Sequence, residues 1–128
     1  MKMSFNLFLP FICLITGFLT YILRQNSESA YMLLKLNNSI VYNFIKYNLA
    51  DFLWCLSGCL LIHNIWEHKT KKYNLYLLIS IIPLIGMGLE GFQLIGFIPG
   101  TFDWIDIGCY IFCFLILIIF QNIKNGFK

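Results

Sequence analysis

Four acidic residues and one glutamine are the side chains of this sequence that could form a polar site. They lie at the edges of otherwise apolar segments, and they are Asp51, Glu90, Gln93, Asp103 and Asp106. Glu90 and Gln93 are three residues apart, as are Asp103 and Asp106, so the members of each pair share one face of a helix. Carboxylates beside hydrocarbon are costly, so they usually pair, line a polar cavity or take part in chemistry.

The chemistry open to this group depends on what the carboxylates face. Their oxygens suit Mg²⁺ or Ca²⁺, and a divalent cation at the acidic cluster could hold a phosphate head group, although no resident cofactor is predicted. A carboxylate in apolar surroundings could also act as a general acid or base. The structural alternative is that Asp103 caps a helix, Asp106 complements its N-terminal dipole, and Glu90 bonds to a neighbouring helix.

The elements that carry these residues are long apolar runs. The chain of 128 residues is 59% hydrophobic and only 12% charged, whereas a soluble domain is about 25% charged. Runs of about 20 apolar residues are long enough to cross a bilayer. The sequence therefore predicts a single all-α domain over residues 1–128, a polytopic membrane protein with four transmembrane helices. The predicted spans are Ser4–Leu23, Leu49–Trp66, Tyr73–Gln93 and Trp104–Phe120.

The loop between the first two spans has an apolar pattern of its own. Ile40, Val41, Phe44 and Ile45 follow helical spacing, with asparagine and lysine between them. This pattern favours an amphipathic helix on the outer surface of the membrane. The alternative is that the second span begins near Ile40 and is long and tilted.

The basic residues predict the orientation, because cytoplasmic loops carry an excess of lysine and arginine. Six would lie on one side and three on the other, which favours both termini in the cytoplasm. The six are Lys2, Lys69, Lys71, Lys72, Lys124 and Lys128, and the three are Arg24, Lys35 and Lys46. In this orientation the four acids all lie at the outer face of the membrane.

Several other kinds of site are disfavoured. A net charge of +3 without a long basic stripe gives no nucleic-acid surface. Residues 86–91 match the pattern G-x-G-x-x-G, but no strand precedes them, so a dinucleotide site is not expected. The five cysteines lie in apolar segments, where cysteine commonly acts as a small apolar filler. His63 and His68 lie far from the acids, at the opposite membrane interface, so no Ser/His/Asp arrangement is supported.

The acids also carry a family resemblance. Glu90, Gln93 and a turn followed by Phe102-Asp103-x-x-Asp106 resemble the signature of the VanZ-like family of small bacterial membrane proteins, and residues 48–57 are similar to the segment that opens its second span. The resemblance covers roughly residues 48–113. It implies four helices, a location in the bacterial inner membrane and a link to glycopeptide (teicoplanin-type) resistance. Thr101 stands where the family usually has arginine.

The resulting hypothesis is that the five polar residues bind the head group of an envelope lipid or cell-wall precursor at the outer leaflet. Three alternatives remain open. The protein could dock to other membrane proteins, or to itself, through Gly86, Gly88 and Gly91. It could be a small enzyme acting on lipid-linked phosphate, with Thr101 as the only hydroxyl in the loop. It could be an oligomeric pore in which the acids form a cation-selective ring.

Overall fold

Five helices make up the part of the protein that the structure describes. The structure is a computed structural model, and it describes residues 4–26 and 40–126. The helices are α1 (Ser4–Asn26), α2 (Ile40–Tyr47), α3 (Leu49–Trp66), α4 (Lys72–Leu94) and α5 (Trp104–Gly126). The all-α prediction is confirmed for these residues.

Three of the helices are long and apolar enough to cross a membrane, namely α3, α4 and residues 104–123 of α5. In α1 the apolar stretch Phe8–Leu23 is shorter. The predicted bounds of α3 match the structure, and α4 differs from its prediction by one residue at each end. Helix α5 continues to Gly126, beyond the predicted end at Phe120. The residues beyond Phe120 include Gln121, which is buried and bonded to His63 of another helix. Because Gln121 has this partner, the helix continues past the polar residue at which the prediction ended it.

Helix α3 lies at the centre of the bundle and packs against each of the other four helices. Helices α4 and α5 also pack on each other. The interior between α3, α4 and α5 is filled by small thiols and larger apolar side chains. They are Cys55, Cys59, Leu75, Ile79, Tyr110, Cys113 and Leu117. Large apolar side chains on the outside of the bundle are exposed, as expected where lipid is the solvent.

Helix α1 packs along α3 through one buried polar contact and one close approach. Ser57 Oγ donates a hydrogen bond of 2.7 Å to the carbonyl oxygen of Pro10, and both residues are fully buried. At Gly17 a Cβ atom would lie 3.3 Å from Leu53 Cβ and 3.4 Å from the Ala50 carbonyl oxygen. The missing side chain at Gly17 therefore allows the two helices to approach closely.

Helix α2 joins α3 directly through Asn48. The Asn48 N–H bonds to the Phe44 carbonyl at 2.9 Å, and the Phe52 N–H bonds to the Asn48 carbonyl at 3.0 Å. Asn48 interrupts the helix with φ −114° and ψ −19°, so α2 and α3 form two distinct helices with no loop between them. At about 1.5 Å per residue the two helices have a combined length of about 40 Å, more than the ~30 Å thickness of the hydrocarbon core.

Candidate functional site

The predicted polar residues come from three helices and meet at one end of the bundle. Asp51 lies in the first turn of α3, and Glu90 and Gln93 lie in the last turns of α4. Asp103 directly precedes α5, and Asp106 lies in its first turn. We call this end of the bundle the acid end, and the opposite end, where α3 reaches His63, the His63 end. The acid end is formed because α3 and α5 begin where α4 finishes.

The connection between α4 and α5 begins with a glycine in the left-handed conformation. Gly96 has φ 73°, its N–H bonds to the Gln93 carbonyl at 3.0 Å, and the Phe97 N–H bonds to the Phe92 carbonyl at 2.8 Å. These two bonds form a Schellman motif, which ends the helix and satisfies its last carbonyls. The rings of Phe92 and Phe97 lie 5.7 Å apart, the apolar contact that often accompanies this motif.

Gly100 brings the backbone of the same connection against the side chain of Gln93. It has φ 146°, a value that residues with a side chain rarely adopt. A Cβ atom at this position would lie 2.7 Å from Gln93 Cδ, closer than van der Waals contact allows. The backbone conformation therefore favours glycine here, and any side chain at this position would have to displace the end of the Gln93 side chain.

Asn48 links α3 to both aspartates of α5. Its Nδ2 donates to Asp106 Oδ1 at 2.7 Å and to Asp103 Oδ2 at 3.1 Å. Asn48 occupies the N-cap position of α3, but its side chain makes no capping bond there. Only 2% of Asn48 is exposed, so its amide supplies buried donors to two carboxylates that would otherwise need them from elsewhere.

Asp103 and Glu90 are joined through the backbone N–H of Asp103, the residue directly before α5. Glu90 Oε2 accepts a hydrogen bond of 3.1 Å from the Asp103 N–H. Asp103 Oδ1 accepts one of 2.8 Å from the Ile105 N–H, the usual geometry of an N-cap residue. Asp103 thus has the capping role expected of it, and its second oxygen is also used, by Asn48. Glu90 does bond to a neighbouring helix, as the structural alternative proposed.

A polar cavity of about 310 Å³ lies between these side chains. It is lined by all five predicted residues, Asp51, Glu90, Gln93, Asp103 and Asp106, together with Tyr47, Asn48, Gly100 and Thr101. Glu90 and Asp106 are buried, with 6% and 8% of each residue exposed. Four acidic residues therefore line one small space at the acid end, and within residues 4–26 and 40–126 no described lysine, arginine or histidine side chain lines it.

Asn48 is the residue of the site that the sequence did not single out, and Tyr47 and Thr101 line the cavity with it. The available signal was position, since Asn48 stands three residues before Asp51, one helical turn away. Its hydrogen bonds to α5 span 55 and 58 residues of sequence, and no local pattern indicates such partners. The structure brings all five predicted residues together, while their binding role stays a prediction.

The His63 end holds a separate polar group. His63 Nε2 lies 2.8 Å from Gln121 Oε1, and Tyr76 Oη donates to Asn122 Oδ1 at 3.0 Å. His63 is 3% exposed, so it is buried between helices and differs from the interfacial residue that the sequence suggested. Twelve residues along α3 separate it from Asp51, about 18 Å at the helical rise, so it takes no part in the acid cluster.

The glycines proposed for helix docking differ in their surroundings. At Gly86 a Cβ atom would lie 2.9 Å from the Tyr110 ring, whereas nothing lies within 4 Å of such an atom at Gly88 or Gly91. Gly86 therefore serves packing between α4 and α5 inside the molecule. Only Gly88 and Gly91 leave room for a partner.

The part of the chain that the structure describes has no set of side chains arranged to bind a metal ion. Within residues 4–26 and 40–126 no group of three or more His, Cys, Asp or Glu side chains is placed to hold a metal ion. The five cysteines are free thiols and buried. Cys59 Sγ and Cys113 Sγ contact the carbonyl oxygens of Ile79 and Phe52, which fits cysteine as a packed core residue.

Comparison with known proteins gives no relative on which a function could be based. No protein-family model, no curated protein and no solved structure matches the chain. The residues and geometry of the site are therefore what indicates a function.

Proposed function

We propose that the protein is a VanZ-like, four-span protein of the bacterial inner membrane whose acid-end cavity binds an amine-bearing head group of an envelope lipid or cell-wall precursor. The observation that carries this proposal is the convergence of four acidic residues, from three helices, on one polar cavity that no basic residue lines among the described parts of the chain. Support for the four spans, the orientation and the ligand class comes from different parts of the structure.

Helix α1 is proposed as the fourth span. Its 23 residues correspond to about 35 Å of helix, enough to cross the hydrocarbon core. It packs along α3, the most extensive contact between any two of the described helices. Phe11, Ile15 and Phe18 are more than half exposed, and the natural surrounding for such a face is lipid.

The orientation is proposed from the basic residues. Lys69, Lys71 and Lys72 follow the His63 end of α3, and Lys46 lies at the acid end, so the His63 end would face the cytoplasm. Lys2, Lys35 and Lys128, which also contributed to the prediction, lie outside the described residues. With four spans this orientation places both termini in the cytoplasm.

The depth of the cavity follows from aromatic residues at the acid end. Trp104, which follows the connection between α4 and α5, is 74% exposed, and Phe97, within that connection, is 77% exposed. Tryptophan and tyrosine collect at membrane interfaces, at the level of the lipid head groups, so Trp104 marks this level. Helix α2, at the same end, would lie at or just beyond this level. The cavity is then positioned to receive a head group of the outer leaflet.

The charge of the cavity favours a cationic ligand. Opposite charge within a few ångströms stabilises both partners, and more strongly where water is excluded. An ammonium group supplies three N–H donors to the oxygens of residues such as Glu90 and Asp51. A divalent cation that bridges to phosphate is the alternative, and one or two of the same carboxylates would hold it.

Lipid binding to the purified protein tests this function. The protein is extracted in detergent and exposed to equal amounts of phosphatidylethanolamine and phosphatidylglycerol, and the retained lipid is identified by native mass spectrometry. We expect phosphatidylethanolamine to be retained in preference. Glu90→Gln and Asp106→Asn keep the shape of the side chain and one acceptor oxygen but remove the charge. Each should weaken retention about tenfold, equivalent to ~1.4 kcal/mol.

Glu67→Gln is the matched control, because it removes the same charge at the His63 end, where Glu67 Oε2 lies 3.9 Å from His63 Nδ1. It should leave the lipid preference unchanged. Equal retention of both lipids by the native protein, or an equal effect of all three substitutions, would contradict the amine-binding function.

A second candidate is docking to another membrane helix through the open glycines Gly88 and Gly91. The observation that favours it is the empty space beside both residues, since small residues permit close helix approach. Crosslinking in membranes separates the two candidates. Gly88→Leu together with Gly91→Leu would abolish a crosslinked complex in the docking case and would leave lipid retention unaffected.

A further inference from the structure

A second cavity, apolar in its lining, lies between α1 and α3 in the half of the bundle nearest the acid end. Its volume is about 320 Å³. Leu14, Phe18 and Tyr21 of α1 form one wall, and Ala50 and Trp54 of α3 form the other. Apart from Asp51 at one end and the phenol of Tyr21, it is bounded mainly by hydrocarbon and aromatic surface. We call this cavity the α1–α3 groove.

The groove exists because small residues alternate with large ones along the two helices. Gly17 lets α1 approach α3 closely, and Ala50 on the facing helix is too short to fill the space beside that contact. Phe18 and Trp54 are 62% and 49% exposed, so they flank the groove as a rim and leave it open toward the surrounding lipid. A chain of lipid hydrocarbon can enter such an opening sideways, without passing through the bundle.

The α1–α3 groove meets the polar cavity at one residue. Asp51 lines both cavities, with the carboxylates of Glu90 and Asp106 on one side and the apolar wall of Ala50 and Trp54 on the other. A molecule that fitted both cavities would need a polar part on one side of Asp51 and an apolar part on the other. A lipid has this division, with a polar head group joined to hydrocarbon chains.

We propose that the α1–α3 groove holds a hydrocarbon chain of the same lipid molecule whose head group occupies the polar cavity. This inference rests on the proposed function and deepens it, because it makes the ligand a membrane-resident amphiphile with at least one long chain. A free amine or a soluble peptidoglycan fragment would fill only the polar cavity. The groove is thus the part of the site that selects for a lipid.

Photo-crosslinking tests the position of the chain. The full-length protein is placed in phosphatidylglycerol nanodiscs with a small fraction of phosphatidylethanolamine that carries a diazirine in one acyl chain, and the labelled residues are mapped by mass spectrometry. We expect labelling of residues 14–21 and 50–54 to exceed that of Ile85, Leu89 and Phe92, which are exposed on α4 and face bulk lipid at a similar depth.

A matched pair of substitutions separates the groove from general lipid contact. Ala50→Phe adds a large side chain within the groove, and Gly108→Phe adds the same side chain on α5, where the space is open. We expect Ala50→Phe to lower groove labelling about tenfold, equivalent to ~1.4 kcal/mol, and Gly108→Phe to leave it unchanged. Labelling that is even over α1, α3 and α4, or that is equally affected by both variants, would overturn the proposal.

Charge removal separates failure of this inference from failure of the proposed function. Asp51→Asn and Glu90→Gln should lower groove labelling if head group and chain belong to one molecule. If retention of phosphatidylethanolamine falls in these variants while groove labelling persists, the head-group function stands and the shared-lipid inference is wrong. If neither retention nor labelling changes, the proposed function fails and the groove holds only bulk lipid, which also overturns the inference.

Discussion

Asn48 is the side chain on which the geometry of the acidic site most depends. It holds Asp103 and Asp106 with two hydrogen bonds, and it lies where α2 ends and α3 begins. Like-charged carboxylates at close range repel each other and require donors between them. The position of Asn48 therefore couples the start of α3 to the start of α5, and it sets one side of the cavity.

Removal of the Asn48 amide should destabilise the protein. Asn48→Ala removes two hydrogen bonds to carboxylate oxygens, and a hydrogen bond to a charged group contributes about 1.5–3 kcal/mol. We expect a lower unfolding temperature for the detergent-solubilised variant, measured by scanning fluorimetry with size-exclusion chromatography as a check on aggregation.

Asn122→Ala is the control for this substitution, because Asn122 is exposed and accepts its bond from Tyr76 at the His63 end. It should change the unfolding temperature much less. Equal stability of Asn48→Ala and the native protein would show that the two aspartates do not need this donor.

At the scale of helices, close packing of α4 on α5 depends on a glycine facing an aromatic ring. Gly86 is buried against Tyr110, and Tyr110 belongs to the core shared with Cys55 and Cys113. The contact lies one helical turn from Glu90 on the same face of α4. The separation of the two helices here therefore also determines how close Glu90 comes to the start of α5.

A methyl group at position 86 should separate these helices. The Cβ atom of Gly86→Ala would lie 2.9 Å from the Tyr110 ring, and overpacking of this kind costs about 1–3 kcal/mol. We expect a lower unfolding temperature and weaker phosphatidylethanolamine retention. Gly88→Ala, which faces open space, should change neither property.

A second substitution distinguishes steric conflict from other effects of alanine. Gly86→Ala combined with Tyr110→Leu removes the ring that the new methyl group meets, and part of the lost stability should return. If the double variant is no more stable than expected from the two single variants added together, the two residues are not coupled.

The helices were predictable from the sequence because long apolar runs and the polar residues that end them are local signals. The structure matches the predicted α3 at both ends for this reason. The spacing of Glu90 with Gln93 and of Asp103 with Asp106 also predicted that the members of each pair would share one helix face, and the predicted spans placed all four acids at the same face of the membrane. The link through Asn48, the close approach of Gly86 to Tyr110 and the α1–α3 groove depend on how helices pack, and no local pattern specifies them.

At the scale of the whole molecule, α1 determines how many times the chain crosses the membrane. If α1 crosses together with α3, α4 and α5, both termini lie on the same side. If α1 lies along the membrane surface, the N-terminus is on the side opposite the C-terminus. The contact of α1 with α3 through Ser57, Pro10 and Gly17 favours the crossing arrangement.

Reporter tags at the two ends test this topology. A short split-GFP fragment fused to either terminus should give fluorescence with its partner expressed in the cytoplasm, because positive residues favour the cytoplasmic side. Alkaline phosphatase fused after Phe97 should be active, since that connection would lie outside. Fluorescence from only one terminus would contradict four spans, and an inactive phosphatase would contradict the proposed orientation.

Because every cysteine is buried, the native protein should react little with thiol reagents and gives a low background for labelling an introduced cysteine. All five cysteines are 9% exposed or less, and three of them are 0% exposed. A bulky, water-soluble maleimide has little access to such groups, while a cysteine placed at an exposed position such as Thr101 would react readily. Single reactive sites can thus be introduced around the cavity entrance without first replacing the residues that fill the interior. Ligand occupancy could then be followed in whole cells as protection of one thiol.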